Sequence, residues 1–367
     1  KGEERKERLP LSSFRVDHTE TVGMTWRQIE DLRPPVIIDG FLRQGEVMLL
    51  GAESKSRKSW LAQDAGIAVA SGLPWLPGED DSEGFETIKS RVHVFDLELA
   101  DSEVSYRFAK ARGNRLKDDL EAQRELSESF NSYSLEGEPA LAILVLLDDL
   151  AEQVAQGDLV IVDCLYRLQA DGNETEEVAI IFETLKRFAK KTKAGVILVD
   201  HFRKAGADKA RDRFAGTFVK AASASTLVAI EVKADDVLEL NIDARTFHGI
   251  KKAHARFDLE GYVFQQVAED DVQAAQGAKT QAKLEGQLGE IWGTRALDFQ
   301  AGKKVAGESW GISQEGARQR FTTLEKADLV QVQQSGKGKP TLWGLRPKGK
   351  EAIASNFDLH PDLHPAP

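Results

Sequence analysis

The sequence predicts an α/β fold, a mostly parallel β-sheet flanked by helices, followed by a small C-terminal module of helices closed by a hairpin. Three observations carry this. Apolar strands alternate with amphipathic helices from about residue 46 to residue 200, the order that builds a parallel sheet covered on both faces. Those strands end in glycine or polar residues, at Gly51, Glu98, Asp163 and His201. The alternation stops after Val267, and three helical stretches and a hairpin take over.

The elements follow in order. Residues 1–24 are polar, mixed in charge and without period, and read as an arm. Met24 to Asp39 suggests a short helix stopped by Arg33-Pro34-Pro35. Glu46 to Leu50 is a compact apolar run ending in Gly51, which suits a buried strand. Lys58 to Ser71 reads as a helix, closed by Gly72-Leu73-Pro74. Val92 to Glu98 is a second strand, and helices are expected near 102–112, 116–126 and 140–155. Leu159 to Asp163 is a third strand, Glu174 to Lys193 a long amphipathic helix, and Gly195 to Asp200 a fourth strand. Thr226–Val232, Val237–Ile242 and Tyr262–Val267 read as antiparallel additions at one edge. The core domain is thus expected over 25–267, a linker over 268–280, the C-terminal module over 281–355 and a tail over 356–367.

Composition sets limits. Of 367 residues, 41% are hydrophobic and 30% charged, in the range of soluble globular chains. No apolar run approaches the ~18–20 residues that span a bilayer. Charged Lys1 to Arg8 has no apolar run behind it, which argues against a secretory signal. Cys164 is the single cysteine, so a disulfide framework and a zinc site built on cysteines are excluded and a reducing, cytoplasmic setting is expected. The net charge of -11 argues against coating nucleic acid by bulk charge. From Lys279 onward there are 13 Lys/Arg and 10 Asp/Glu, so that stretch is mildly basic.

Gly51-Ala52-Glu53-Ser54-Lys55-Ser56-Arg57-Lys58-Ser59 sits where a strand meets a helix. Such a loop binds phosphate because backbone N–H groups and the positive helix end point at it. Lys58 suits the β/γ-phosphates of ATP, and Ser59 suits a Mg²⁺ ion. The strict G-x-x-x-x-G-K-[ST] pattern fails, since Ala52 and Arg57 fill both glycine positions. Arg57 is the more serious departure, because a left-handed backbone there favours glycine. A charged turn containing a lysine is the other reading. Downstream, Asp163 suits the metal-supporting carboxylate and Glu98 the one that orients water. Asp96 and Asp200 are alternative carboxylates. His201 suits a γ-phosphate sensor, against a structural role at the strand end.

Gly51 to Trp60, with Ala68 to Leu76, resembles AAA-type members of the RecA/DnaB-like superfamily related to plasmid RepA hexameric helicases. Lys55-Ser56-Arg57-Lys58-Ser59-Trp60 matches a variant loop of that family. Phe95 to Leu99 followed by Arg107 is similar to its catalytic-glutamate strand. Val160 to Leu168 resembles its Walker B strand, with Cys164 in place of the usual proline. Val199 to Lys204 looks like its His-His motif, with Asp200 in the first place. The resemblance covers about residues 26–267. It implies a RecA-like P-loop NTPase fold, ATP hydrolysis coupled to DNA, and a homo-oligomeric ring, often a hexamer. It implies that the loop 204–217 faces single-stranded DNA in the pore, through Lys204, Lys209, Arg211 and Arg213; a surface loop without that contact is the other reading. It implies an arginine finger from a neighbouring subunit, for which Arg245 is the candidate, ahead of Lys251 and Lys252.

The helices Gln281–Trp292, Val305–Trp310 and Gln314–Lys326, with strands 329–332 and 341–345, have the order of a winged helix-turn-helix. Ser313 suits an N-cap of the third helix, with Arg318 and Arg320 outward and Ala317, Phe321 and Leu324 inward. That helix would enter the major groove of duplex DNA, and Lys337 and Lys339 at the hairpin tip would meet phosphate. A protein-binding module is the alternative. Three outputs fit the whole chain: a replicative helicase of plasmid, phage or mobile-element type, a nucleotide-gated DNA-binding regulator, and a RecA-like recombination or repair ATPase.

Overall fold

The structure, a computed structural model, describes residues 16, 18–78, 84–139, 145–147, 149–168, 174–201, 223–234, 236–247, 249–293 and 298–359. Lys204, Lys209, Arg211 and Arg213, expected in a DNA-facing loop, most of the arm and the end of the tail lie outside them. In chain order the elements are α1 (Trp26–Glu30), β1 (Val36–Ile38), β2 (Leu42–Arg43), β3 (Val47–Ala52), α2 (Lys58–Ser71), β4 (Val92–Asp96), α3 (Asp101–Leu116), α4 (Leu120–Ser129) and β5 (Phe130–Ser134). Then come β6 (Leu159–Asp163), α5 (Glu174–Thr192), β7 (Gly195–His201), β8 (Thr226–Val232), β9 (Val237–Ala244), β10 (Lys252–Asp258) and β11 (Val263–Gln266). The chain ends with α6 (Glu269–Ile291), β12 (Ala301–Gly302), α7 (Lys303–Trp310), α8 (Gln314–Lys326), β13 (Val330–Gly336), β14 (Lys339–Leu345) and α9 (Pro347–Leu359). Two compact units divide at residues 267 and 268.

The first unit is built on one nine-stranded sheet of order β11-β10-β9-β8-β3-β7-β6-β4-β5. From β8 to β5 the strands are parallel. The strand β8, read above as an antiparallel addition, instead pairs parallel with β3, Met48 opposite Thr226. Antiparallel pairing starts only at β9. Every residue of β3 and of β6 is buried, because helices cover both faces and a strand so placed must be apolar on both sides.

Alternation along β3 divides these residues between two cores. Met48, Leu50 and Ala52 join Leu61, Ala65 and Ile161 under α2, whereas Val47 and Leu49 join Phe182 and Leu185 of α5. Gly66 allows α2 to lie this close to the sheet: a Cβ there would come within 3.0 Å of Ile161 and Phe130 side-chain carbons. Gly72, with φ +74°, ends α2 in the left-handed conformation.

The second unit packs Leu288, Trp292, Trp310, Phe321, Leu324 and Trp343 into its own core. Phe321 and Trp343 stack with centroids 4.3 Å apart. The stretch expected as a linker, 268–280, is helical, since α6 runs unbroken from Glu269 to Ile291. Its Ala- and Gln-rich residues are good helix formers, and Glu269, Asp270 and Asp271 sit in the first turn, where the helix dipole favours acid. Those three acids bring residues 268–367 to 13 basic and 13 acidic residues, so the mild positive charge read from Lys279 onward does not describe the unit. Residues 356–359, read as tail, continue α9. No helix among the described residues is long and apolar enough to cross a membrane.

Candidate functional site

The register of the parallel strands sets the site. Ala52 stands opposite His201, and Asp96 opposite Asp163, so β3, β4, β6 and β7 end along one edge of the sheet. That carboxyl edge is where open α/β sheets bind ligands. A cavity of about 530 Å³ opens there, lined by Ser54, Lys55, Lys58, Ser59, Asp96, Glu98, Leu99, Arg107, Asp163, Tyr166 and His201. Lys58, Ser59, Glu98, Asp163 and His201, singled out by sequence on four separate segments, meet in it.

The loop between β3 and α2 is short and strained. Lys55 and Arg57 adopt φ values of 63° and 64°. A non-glycine residue in that region costs about 1–2 kcal/mol. The Ser56 hydroxyl donates to Glu53 O at 2.7 Å and braces the turn. Arg57 points away from the cavity, its guanidinium 4.8 Å from the Phe257 ring centre. Of the nine loop residues and Trp60, only Ser54, Lys55, Lys58 and Ser59 line the cavity. Gly51 and Ala52 are buried as the last residues of β3, because the strand continues through the first half of the motif. Trp60 packs on Tyr262, with centroids 4.6 Å apart, and under the Arg107 guanidinium at 4.8 Å.

The acidic side has a distinct chemistry at each position. Asp163 is buried, and burial pushes its carboxyl up to about 6, partly offset by a hydrogen bond from the Ser59 hydroxyl. Its Oδ1 has no hydrogen-bond partner. An orphaned buried carboxylate oxygen beside a serine hydroxyl is a hard oxygen pair and fits a divalent cation such as Mg²⁺. Burial also raises Asp96, whose Oδ1 accepts from the Glu98 and Leu99 backbone N–H groups at 3.0 and 2.9 Å. Asp96 therefore shapes the turn that carries Glu98. The Tyr166 hydroxyl donates to Glu98 Oε1, and its ring lies 5.1 Å from that of His201. Burial, then the nearby Lys58 ammonium, pushes the His201 imidazole below its ordinary range. A neutral imidazole is left to make directional hydrogen bonds.

A family model described as AAA domain matches residues 15–207, more than half of the chain. The chain belongs to that family. Among solved structures, this AAA domain resembles the ATPase domain of G40P, with 14% identity and a TM-score of 0.46 over 61% of this chain and 86% of that one. It also resembles a DnaB-like replicative helicase solved in a study of its interactions with primase, with 15% identity and a TM-score of 0.51 over 69% of this chain and 68% of that one. No curated protein matches. The second likeness shows a RecA/DnaB-like fold, and the family makes the unit an AAA-type ATPase domain.

Two lining residues fall within the resembling motifs but take no role from the sequence, Tyr166 in the Walker B stretch and Arg107 after the glutamate strand. Tyr166 lies three residues past Asp163 on the turn Leu165–Leu168, a spacing that no phosphate-loop pattern marks. Arg107 sits on α3, paired with Glu103 at 2.8 Å. Arg245 follows β9, which runs antiparallel to β8. It therefore lies at the edge of the sheet opposite Lys58 and cannot serve its own cavity. Lys252, at the start of β10, stands opposite Asn241 and so, through β9 and β8, level with Gly51 but three strands from β3, and Lys251 precedes it. On α8, Arg318 is exposed and 3.7 Å from Glu315. Arg320, expected outward, is half-buried with its guanidinium 5.3 Å from the Trp310 ring, because α7 packs beside it. Lys337 and Lys339 are exposed at the β13–β14 tip, with Gly338 at φ +80° between them.

Proposed function

We propose that this AAA-type domain hydrolyses ATP to drive a helicase-type motor on DNA. The observation that carries the reading is the convergence of Lys58, Ser59, Glu98, Asp163 and His201 on one cavity at the carboxyl edge of the sheet. Lys58 binds the β- and γ-phosphates. Ser59 and Asp163 would hold Mg²⁺, which would supply Lewis-acid stabilisation of the negative charge on the phosphates. Glu98 orients and polarises the attacking water, and takes its proton. His201, neutral, hydrogen-bonds the γ-phosphate region and reports its loss to the segment that follows β7. Arg245 acts on a neighbouring copy, a reading its distance from its own cavity supports, and a homo-oligomeric ring, hexameric as in the resembling family, supplies that neighbour. Single-stranded DNA is contacted by the loop 204–217, and duplex DNA by the second unit read as a winged helix, through Arg318, Lys337 and Lys339.

Lys58→Ala is expected to lower hydrolysis by two orders of magnitude or more, and Glu98→Gln to stop turnover while sparing ATP binding. Hydrolysis unchanged in both variants would falsify the assignment. Strand displacement on a forked substrate then tests the motor itself.

One observation favours a second reading, a nucleotide-gated DNA-binding switch. The Tyr166 hydroxyl donates to Glu98 Oε1 and so occupies a carboxylate oxygen that would otherwise meet the attacking water. A switch footprints duplex DNA in a nucleotide-dependent way and unwinds nothing.

A further inference from the structure

The cavity carries a second donor set, distinct from the Ser59–Asp163 oxygen pair. Glu98, Cys164 and His201 each offer one ligand atom, and these three atoms lie within 4.8 Å of one another. No other cluster of three such residues occurs among the described residues. A carboxylate oxygen, a thiol sulfur and an imidazole nitrogen suit a borderline-soft ion; Mg²⁺ prefers all-oxygen shells. Tetrahedral Zn²⁺ with bonds near 2.0–2.3 Å holds its ligands roughly 3.5 Å apart, so side-chain shifts of about an ångström close the set. Three protein ligands leave a fourth position open to water.

We propose that Glu98, Cys164 and His201 form a Zn²⁺ site that shuts the nucleotide cavity down. Cys164 is fully buried behind the two cavity residues, so the ion engages Glu98 and His201 first and the thiol last. Zn²⁺ displaces the thiol proton to solvent and forms a Zn–S bond, and the carboxylate and thiolate together balance its charge. The Tyr166 hydroxyl orients Glu98 from outside the set, the kind of support that metal-bound carboxylates need. The Asp163 Oδ1 without a partner adds negative potential alongside, against the Lys58 ammonium. Inhibition rests on the ATPase reading, because the ion occupies the water-polarising glutamate and the phosphate-sensing histidine. Binding itself does not.

Cobalt substitution separates the two. Titrating the full chain with Co²⁺, without nucleotide, is expected to give one equivalent bound with a near-ultraviolet sulfur-to-cobalt charge-transfer band. Cys164→Ser is expected to lose that band and weaken binding about tenfold or more, and His201→Ala to weaken binding by a similar factor while keeping it. His201 is half-exposed, so this variant remains informative if Cys164→Ser does not fold. A wild-type chain with no sulfur band, or a band that survives Cys164→Ser, overturns the site. ATP hydrolysis in excess Mg²⁺ at buffered free Zn²⁺ is expected to fall in the wild type and hold in Cys164→Ser. Equal loss in both overturns the coupling and leaves the ATPase reading standing. If there is no hydrolysis even without Zn²⁺, that reading fails, and the cobalt spectrum still decides the site.

Discussion

The two compact units use charge in opposite ways. The first draws charged side chains inward: Lys58, Asp64 and Asp163 are all buried, and Asp163 with Lys58 faces a cavity. The second, with equal numbers of acids and bases, keeps Lys337, Lys339 and Arg318 on its surface over an aromatic core. Desolvated charge in a concave site can perform chemistry, because its interactions are strong and fixed. Solvated charge on a hairpin tip gives attraction that is weak per residue and sensitive to salt.

Variants that break one unit and spare the other test this contrast. Phe321→Ala is expected to have the largest effect on stability. It removes a fully buried ring stacked on Trp343, at a cost of about 3–5 kcal/mol to the second unit. Thermal unfolding should then show an early transition for residues 268–367 while ATP hydrolysis persists. A single unshifted transition would contradict the independence of the two cores.

The next effect depends on pH. Asp64 is fully buried in α2, and burial raises its carboxyl to about 6, offset in part by Arg115. Its folded-state pKa lies above the unfolded value. The folded state therefore gains from the bound proton at low pH and loses that gain as pH rises through about 6. Asp163, shifted the same way, adds to the trend. Asp64→Asn is expected to stabilise the first unit at pH 8 by on the order of 2 kcal/mol, with roughly half that gain at pH 5. Melting temperatures of both proteins at the two pH values check this; a gain that is larger at pH 5 refutes it.

Smaller effects are expected at the surface. Lys337→Ala and Lys339→Ala should each weaken duplex DNA binding severalfold and lower the salt slope by about 1, without altering ATP turnover. Titrations at several salt concentrations decide it, and an unchanged slope would remove the hairpin tip from the interface. Arg57→Gly is expected to have the smallest effect. It relieves the left-handed strain but loses the contact with Phe257 and adds chain entropy, so stability should move by less than about 1 kcal/mol. A loss of several kcal/mol, read by denaturant titration, would show that the side chain holds the loop.

The parallel core was legible because it is apolar on both faces: runs such as Leu159 to Asp163 have few other places to go. Their polar last residues marked the site edge, and Arg57 announced its own strain. Other features were hidden for physical reasons. In β10, Ala253, Ala255 and Phe257 face inward between Lys, His and Arg, and alanine gives a strand little signal. The strand β5 follows α4 with no turn residue between them. The orientation of β8 depends on a crossover that local pattern cannot encode. Tyr166 and Cys164 reach Glu98 and His201 only after three strands have been brought into register.

The water-polarising role proposed for Glu98 is the point on which the functional reading turns. Equilibrium MgATP binding and single-turnover hydrolysis, measured together on wild type and Glu98→Gln, test it directly. The variant should bind MgATP within about threefold of wild type and hydrolyse it at least a hundredfold more slowly. Equal single-turnover rates, or loss of binding in step with turnover, would contradict that role.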